Sequence, residues 1–203
     1  MIIVIVDYEV GNYGSVLAAF KTLGYEPVLT RDKDIIAESD LLVLPGQGAF
    51  PSAIKALQEL GLISLIKAHI ESNKPFIGIC LGFQLLFETS YEYGKQAGLG
   101  VFKGEIAPFE MTDLKIPHMG WNELNVKHDP YHLLSQDDHF VYFVHSFFLK
   151  NTDPDIIFTT TEYGVEFVSA IQTDTVLATQ FHPEKSGTVG LKMLEGFVNK
   201  HAG

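Results

Sequence analysis

Cys80, the single cysteine among the 203 residues, stands where an apolar run ends and a helix-like pattern begins. Glycines lie two positions before it and two after it, at Gly78 and Gly82. Such glycines allow the backbone to turn sharply from a strand into a helix and to present the thiol above the edge of a sheet. The N–H groups of the following helix stabilise a thiolate, which is the reactive form of cysteine. We therefore interpret Cys80 as a nucleophile rather than as a small buried hydrophobic residue.

A thiol that attacks an amide or an ester needs a general base and a group that orients this base. Residues 180–184 supply both groups. There an apolar strand ends in His182, Pro183 fixes the following turn, and the carboxylate of Glu184 can reach back to the imidazole. We predict that Glu184 holds the tautomer of His182 while the other ring nitrogen takes the proton of Cys80.

The composition restricts the classes of protein to which the chain can belong. With 46% hydrophobic residues the chain can bury a full core, and we expect residues 1–203 to form a single domain. Its 14 basic and 25 acidic residues give a formal charge of −11 without any basic stripe, which argues against nucleic-acid binding. No apolar run approaches the roughly 20 residues that span a bilayer. One cysteine forms no internal disulfide, and the apolar start lacks a basic leader segment, so we predict a cytoplasmic location.

The elements that must position these residues alternate in the first half of the chain. Short apolar runs are separated by amphipathic stretches, which is the pattern of a parallel sheet covered by helices. We predict strands at residues 2–6, 27–29, 41–44 and 76–79. The predicted helices cover residues 12–23 and 51–72, the second broken near Gly61.

The second half of the chain has a different pattern. Runs of β-branched and aromatic residues follow one another with short turns at residues 140–149, 156–161, 165–171 and 176–181. This spacing predicts antiparallel strands that extend the sheet, followed by a last helix over residues 187–200. The predicted fold class is therefore α/β, with an open, mixed, mostly parallel sheet flanked by helices and an antiparallel extension in the second half.

The polar segment at residues 127–139 contains side chains that could bind a metal ion: His128, Asp129, His132, Asp138 and His139. Pro130 interrupts the helical register that would bring two of the histidines to one face. We interpret the segment as a solvated loop, and we predict neither a metal site nor a cofactor.

The residues around Cys80 and His182 resemble a known family. The pattern GxCxGxQ at residues 78–84, together with HPE at residues 182–184, is similar to the motifs of the class I, or triad-type, glutamine amidotransferases. The resemblance covers essentially the whole chain. It implies a flavodoxin-like fold in which Cys80 attacks the side-chain amide of glutamine, His182 is the general acid and base, and Glu184 orients the histidine. Ammonia leaves, and water hydrolyses the glutamyl thioester to glutamate.

The resemblance also assigns groups around the nucleophile. Residues 45–48, Pro-Gly-Gln-Gly, match the oxyanion loop of the family. The subfamily to which the chain is most similar usually has Pro-Gly-Val-Gly at these positions. The implied oxyanion donors are the backbone N–H groups of Gln47 and Leu81. The implied glutamine-binding residues are Gly46, Gly48, Gln84, His145 and Ser146. From the residues alone, the glycine-rich segment could equally be a plain turn, and Gln84 could face solvent.

Further matches are similar to the glutaminase subunits of imidazole glycerol phosphate synthases, enzymes of histidine biosynthesis. The matches are DY at residues 7–8, GN at 11–12, IPHMGWN at 116–122, YFVHS at 142–146, and the lysine after HPE. They imply a heterodimer with a (β/α)₈-barrel cyclase, which uses the ammonia to form imidazole glycerol phosphate and aminoimidazole carboxamide ribotide. The implied interface residues are Asn12, Trp121, Asn122, Tyr142 and Lys185. Members of this subfamily are nearly inactive alone and are activated when the partner binds its nucleotide.

Other interpretations stay open at this point. The chain could supply ammonia to a different synthase, because several families share such sites. It could also be a non-catalytic docking subunit, although the intact triad and glycines favour an enzyme. Hydrolase or chaperone chemistry on a related cysteine fold does not account for the HPE segment.

Overall fold

Strands and helices alternate along the first half of the chain in a computed structural model, which describes residues 1–110, 114–134 and 139–202. The helices are α1 (Tyr13–Thr22), α2 (Lys33–Glu38), α3 (Phe50–Glu59), α4 (Ile63–Glu71), α5 (Leu81–Leu85) and α6 (Gly187–His201). The first seven strands are β1 (Ile3–Val6), β2 (Val28–Thr30), β3 (Leu41–Gly46), β4 (Phe76–Cys80), β5 (Phe87–Ser90), β6 (Gln96–Ala97) and β7 (Phe102–Pro108). The remaining strands are β8 (His118–Glu123), β9 (Asn125–Val126), β10 (Phe140–His145), β11 (Phe147–Lys150), β12 (Ile157–Glu162), β13 (Glu166–Gln172) and β14 (Val176–Thr179).

One large mixed sheet organises the described residues. Its strand order is β2-β1-β3-β4-β14-β13-β11-β7-β5-β6; in addition, β12 pairs with β13, and β9 pairs with β12. The first five strands of this order run parallel, whereas β13, β11 and β7 continue the sheet by antiparallel pairing. Both halves of the predicted architecture are therefore present.

The parallel strands β1, β3, β4 and β14 are buried on both faces, which explains their continuous apolar sequences, whereas the edge strand β2 is partly exposed. Along β1, Ile3 and Ile5 belong to one apolar cluster, and Val4 and Val6 belong to a second cluster on the opposite face. The helices cover these two faces and leave the ends of the strands accessible. Polar residues that directly follow the strands are consequently displayed at one edge of the sheet.

The prediction of one continuous strand region at residues 140–149 is wrong in part. The strand is interrupted at Ser146, because β10 and β11 pair with different strands. β10 pairs antiparallel with β8 in a separate two-stranded ribbon, which we call the β8–β10 ribbon, whereas β11 joins the large sheet. The alternation of buried and exposed side chains in β10 stops at this residue, and two consecutive buried residues, Phe148 and Leu149, follow in β11.

The interpretation of β14 as one more antiparallel strand is also incomplete. β14 is antiparallel to β13, but it pairs in parallel with β4 along Val176–Thr179. It therefore lies at the junction of the two halves of the sheet. Because β4 and β14 run in the same direction, the residues that follow both strands reach the same edge.

Smaller differences concern helices. The break near Gly61 is present, since α3 ends at Glu59 and α4 begins at Ile63. The sequence pattern missed α2, which begins after Asp32, whose carboxylate accepts hydrogen bonds from two backbone N–H groups of the first turn. The helix after Cys80 has only five residues, so the thiol lies beside a short helical turn rather than a long helix.

None of the helices in the described ranges is long and apolar enough to cross a membrane. Within the segment that we interpreted as a solvated loop, Asp138 lies outside the described residues. The carboxylate of Asp129 accepts hydrogen bonds from the backbone N–H groups of Leu133 and Leu134 at 2.9 and 3.0 Å. This aspartate therefore stabilises a turn of the loop.

Candidate active site

Cys80 occupies a strained turn between β4 and α5. Its backbone has φ 55° and ψ −104°, an unusual combination for a residue with a side chain. A Cβ atom on Gly82 would lie 1.8 Å from the carbonyl oxygen of Leu44, so only glycine fits where the turn passes over β3. Strain of this kind costs on the order of 1–3 kcal/mol and is concentrated at functional sites. The glycine pattern thus produced the predicted strand-to-helix elbow.

Strand register brings the other groups of the site to Cys80. In the β3–β4 pair Gly46 lies directly opposite Cys80, so Gln47 and Leu81 follow a matched pair of residues. A Cβ atom on Gly46 would lie 2.2 Å from the hydroxyl oxygen of Tyr8, whose O–H donates a hydrogen bond to the carbonyl oxygen of Pro45. Tyr8 therefore packs against the glycine-rich loop, a role that its sequence motif did not reveal.

His182 and Glu184 form a buried pair beside the nucleophile. The imidazole Nδ1 lies 2.8 Å from a carboxylate oxygen of Glu184, and both side chains are 2% exposed. Because a carboxylate only accepts, Nδ1 carries the proton and Nε2 is the nitrogen left for chemistry. Nε2 is buried and has no hydrogen-bond partner within the described part of the chain. It is therefore available to exchange a proton with Cys80 or with a bound molecule.

The electrostatic surroundings of His182 favour its protonated form. Burial acts to lower the pKa of the imidazole, but the charge of Cys80 and the pairing with Cys80 and Glu184 outweigh it and raise the pKa to about 10. A cationic imidazole beside the sulfur stabilises a thiolate. The arrangement can thus hold Cys80 as an ion pair with His182, ready for nucleophilic attack.

Two further groups contact the sulfur. The thiol of Cys80 lies 3.9 Å from the carbonyl oxygen of Val144, and the side-chain amide of Gln180 donates toward the sulfur over 3.8 Å. Gln180 also accepts a hydrogen bond of 2.9 Å from Gln84. No role was predicted for Gln180, although its position two residues before His182 was the available signal.

A cavity of about 480 Å³ opens above Cys80. Ten of the residues predicted for the site or the interface line it: Gln47, Gly48, Cys80, Leu81, Gln84, Tyr142, His145, Ser146, His182 and Lys185. Glu184 and Gly46 lie behind this lining and border a small crevice on the other side of the histidine. The structure thus brings together residues that are far apart in the sequence.

His145 and Gln84 contact this cavity with side chains that are already engaged. The Nδ1 of His145 bonds the carbonyl oxygen of Phe147 at 2.8 Å, and its Nε2 bonds His118 at 2.9 Å. The amide nitrogen of Gln84 donates to the same oxygen of Phe147 at 3.2 Å. Both side chains therefore shape the wall of the cavity through bonds within the protein.

Known proteins of similar sequence show the family of this chain. A family model described as glutamine amidotransferase class-I matches residues 4–200. The imidazole glycerol phosphate synthase subunit HisH of Aquifex aeolicus is 50% identical over 200 residues, covering 97% of this chain and 96% of that protein. HisH of Lactococcus lactis is 47% identical over 200 residues, covering 98% of both. The chain belongs to the class I glutamine amidotransferases, in the HisH family. The predicted resemblance is thereby confirmed. The relatives favour a subunit of imidazole glycerol phosphate synthase over the glutaminase of a different synthase.

Solved structures show the same fold at low sequence identity. The structure of PurLQS from Thermotoga maritima superposes with a TM-score of 0.74 at 19% identity, covering 97% of this amidotransferase and 96% of that chain. A chain described as a glutamine amidotransferase gives a TM-score of 0.74 at 19% identity, with coverage of 99% and 100%. These likenesses concern the fold alone, and they confirm the predicted α/β class.

One charged residue of the cavity lies outside the sequence motifs of this amidotransferase. Glu92 lies in the turn after β5 and lines the same cavity as Cys80. One of its carboxylate oxygens accepts a hydrogen bond of 2.8 Å from the backbone N–H of Phe50, the first residue of α3. Nothing in the local sequence marks Glu92, because its place in the cavity depends on the pairing of β5 with β7.

The predicted interface residues lie near the cavity, most of them on the β8–β10 ribbon. Trp121 is 58% exposed and contacts Tyr142, directly opposite in the register, with ring centroids 6.3 Å apart. Met119, two residues earlier on the same face, is 61% exposed. Asn12, outside the ribbon, borders the small crevice behind His182. The exposed face of the ribbon is thus an apolar surface continuous with the mouth of the cavity.

The backbone of the ribbon is fixed to the histidine turn. The N–H of Tyr142 donates to the hydroxyl of Ser186 at 3.0 Å, and this hydroxyl donates to the carbonyl of His182 at 2.6 Å. Within the described ranges, no cluster of three or more His, Cys, Asp or Glu side chains could hold a metal ion.

Proposed function

We propose that this chain is the glutaminase subunit of an imidazole glycerol phosphate synthase and that it hydrolyses glutamine to glutamate and ammonia. The observation that carries the proposal is the strained Cys80 beside an imidazole whose Nδ1 is fixed by Glu184 at 2.8 Å. Membership of the HisH family supports the same activity.

In the first half of the reaction, the thiolate of Cys80 attacks the side-chain carbonyl carbon of glutamine. The Nε2–H of His182 gives its proton to the nitrogen of the leaving group, and ammonia departs. A glutamyl thioester on Cys80 remains. The raised pKa of His182 keeps the proton on the imidazole until the leaving group needs it.

In the second half, water attacks the thioester while His182 takes a proton from it. The carbon–sulfur bond then breaks, glutamate leaves, and the thiolate–imidazolium pair is restored. Glu184 holds the ring in one orientation through both proton transfers. Glutamine and water are thereby converted to glutamate and ammonia with no other reactant.

Two backbone N–H groups stabilise the oxyanion that forms in each half. They belong to Gln47 and Leu81, which follow the paired residues Gly46 and Cys80. Each such donor is worth on the order of 3 kcal/mol, or about a hundredfold or more in rate. The conformation of the glycine-rich loop can therefore control the rate.

Charged side chains at the cavity fit the amino-acid end of glutamine. Glu92 and Lys185 both line it, and a carboxylate is the natural partner of the α-ammonium group. We assign this contact to Glu92, which the bond from Phe50 already orients. The assigned residues Gly46, Gly48, Gln84, His145 and Ser146 complete the recess around the side-chain amide.

The partner would be a (β/α)₈-barrel cyclase, which consumes the ammonia to form imidazole glycerol phosphate and aminoimidazole carboxamide ribotide. The relatives from Aquifex aeolicus and Lactococcus lactis are named as subunits of imidazole glycerol phosphate synthase, which supports a partner subunit. The exposed apolar face of the β8–β10 ribbon offers a docking surface beside the cavity mouth. Contacts there would involve Asn12, Trp121, Asn122, Tyr142 and Lys185. Docking at the mouth would separate the cavity from bulk solvent and keep ammonia within the complex.

The test is glutamate release from glutamine by the purified chain, alone and with a barrel cyclase and its nucleotide ligand. We expect weak activity alone and strong stimulation in the complete mixture. Turnover that does not respond to the cyclase would contradict the assigned partner. Absence of glutamate release in every mixture would contradict the glutaminase activity itself.

A further inference from the structure

His118 and His145 form a buried hydrogen-bonded pair between the β8–β10 ribbon and the glutamine cavity. They lie opposite each other in the register of the ribbon, and they are 2% and 5% exposed. Nδ1 of His118 is 2.9 Å from Nε2 of His145. Only His145 lines the cavity, so His118 lies one hydrogen bond away from it.

The surrounding acceptors determine where the protons lie. The carbonyl oxygen of Phe147 can only accept, so Nδ1 of His145 carries a proton and donates to it at 2.8 Å. Nε2 of His145 must then accept from Nδ1–H of His118. Nε2 of His118 in turn accepts from the side-chain amide of Asn122 at 3.2 Å. Burial lowers the pKa of His118 to about 4 and that of His145 to about 3, so both rings are neutral at neutral pH.

The bonds continue from this pair to the nucleophile. The oxygen of Phe147 accepts from both His145 and Gln84, the latter at 3.2 Å. The same amide nitrogen of Gln84 donates to Gln180 at 2.9 Å, and Gln180 donates toward the sulfur of Cys80 over 3.8 Å. A continuous series of hydrogen bonds therefore links the histidine pair to Cys80.

The other end of the series lies at the docking surface. Asn122 is adjacent to the exposed Trp121 and is itself only half-buried. Its amide group also donates to the carbonyl oxygen of Glu162 at 2.9 Å, and its oxygen accepts from the N–H of Glu123 at 2.8 Å. A partner that shifts the ribbon would thus displace the side-chain amide of Asn122, which donates the hydrogen bond to Nε2 of His118.

We propose that His118 is a positioning residue that couples docking at the β8–β10 ribbon to the reaction at Cys80. This inference rests on the proposed function, because it assumes that a partner docks there. His118 touches neither Cys80 nor the cavity. Breaking one of its bonds leaves a buried polar atom unpaired, which is unfavourable. The bonded groups therefore move together, and the wall formed by residues 144–147 follows the ribbon.

Two substitutions interrupt the series at different points. His118→Phe removes both hydrogen bonds but keeps an aromatic ring in contact with Tyr163 and Phe143, whose centroids are 3.9 and 4.7 Å away. Asn122→Asp keeps the shape of the side chain and removes its two donors. Tyr163→Phe is the matched control, because it keeps the stacked ring and loses only the bond to the carbonyl of Lys115.

The readout is the stimulation of glutaminase activity at saturating partner and nucleotide. We expect His118→Phe to reduce this stimulation about fivefold or more, mainly through kcat, which is the size of a typical coupling between sites. Tyr163→Phe should retain it. The double variant with Asn122→Asp should be no worse than His118→Phe alone, because both interrupt one series.

Full stimulation in folded His118→Phe would overturn the proposal. An equal loss with and without the partner would overturn it too, and so would additive effects in the double variant. If His118→Phe does not fold, Asn122→Asp decides alone, and full stimulation of that variant would contradict the coupling. A wild-type complex without glutaminase activity would instead reject the proposed function, so the two failures are distinguishable.

A second measurement needs no variant. Nitrogen-15 NMR of the imidazoles reports which ring nitrogen carries the proton. We expect both His118 and His145 to be neutral with the proton on Nδ1. A proton on Nε2 of either ring would break the deduced order of donors and acceptors and overturn the proposal.

Discussion

The backbone N–H of His182 donates a hydrogen bond of 3.0 Å to the carbonyl oxygen of Tyr142. The first residue belongs to the proposed triad and the second to the proposed docking ribbon. Ser186 adds two more bonds between the same segments. A partner that contacts the ribbon would therefore act within one hydrogen bond of the general base, as well as through the series that contains His118.

Trp121→Ala should weaken the complex with the cyclase. Tryptophan is enriched among interface hot spots, whose truncation costs about 2 kcal/mol or more, so we expect the Kd to rise about thirtyfold or more. Ile2→Ala is the control, since Ile2 is also an exposed apolar residue but precedes β1 at the opposite edge of the parallel strands. Titration calorimetry measures both. Equal affinities for Trp121→Ala and the wild type would remove the ribbon from the interface.

Gln47→Pro removes the backbone N–H proposed as an oxyanion donor. We expect kcat of the stimulated enzyme to fall about a hundredfold or more. Gln47→Ala retains the N–H and should keep most of the activity, which separates the backbone from the side chain. Steady-state glutaminase kinetics at saturating partner distinguish the two variants. Gln47 would have no place in the mechanism if folded Gln47→Pro remained fully active.

Glu92→Gln tests recognition of the α-ammonium group of glutamine. The amide oxygen can still accept the bond from Phe50, so the turn should persist while the charge is lost. We expect KM for glutamine to rise about tenfold, because hydrogen bonds to charged groups contribute roughly 1.5–3 kcal/mol. Glu88→Gln, an exposed neighbour on β5, should leave KM unchanged. An unaltered KM in Glu92→Gln would assign the ammonium contact elsewhere.

Local patterns predicted the turn at Cys80 and the contact between His182 and Glu184, because both depend on short-range geometry. The elbow at Cys80 follows from glycines that clear β3, and the Glu184 contact follows from a two-residue separation across a proline turn. The roles of these residues and the single-domain organisation stay predictions. The strands of the parallel half of the sheet could also be predicted from the sequence, since strands buried on both faces have continuous apolar sequences.

Long-range pairing explains what was missed. The ribbon separates from the large sheet at Ser146, and a run of β-branched and aromatic residues does not specify which partner strand it takes. Glu92 reaches the cavity, and His118 reaches His145, only through strand pairing that connects distant segments. The parallel pairing of β14 with β4 likewise depends on the direction of a strand far away in the sequence.

The pKa of His182 should depend on Cys80. Among the causes that raise it to about 10, the charge of Cys80 is the largest, so Cys80→Ala should lower the pKa toward the ordinary value of 6.5. Since the folded pKa lies above the unfolded one, this proton stabilises the fold fully below pH 6.5, and the stabilisation is lost as the pH rises to about 10. NMR titration of the imidazole measures the shift. An identical pKa in Cys80→Ala would exclude the thiolate–imidazolium pair.

The most direct measurement of the central claim is intact-mass analysis of the complex quenched in acid during turnover of glutamine. We predict a glutamyl adduct on the wild-type chain that maps to Cys80 and disappears when glutamine is exhausted. Cys80→Ala should carry no adduct, and its rate should fall about a thousandfold or more. Steady glutamate release by Cys80→Ala, or an adduct at another residue, would contradict the account.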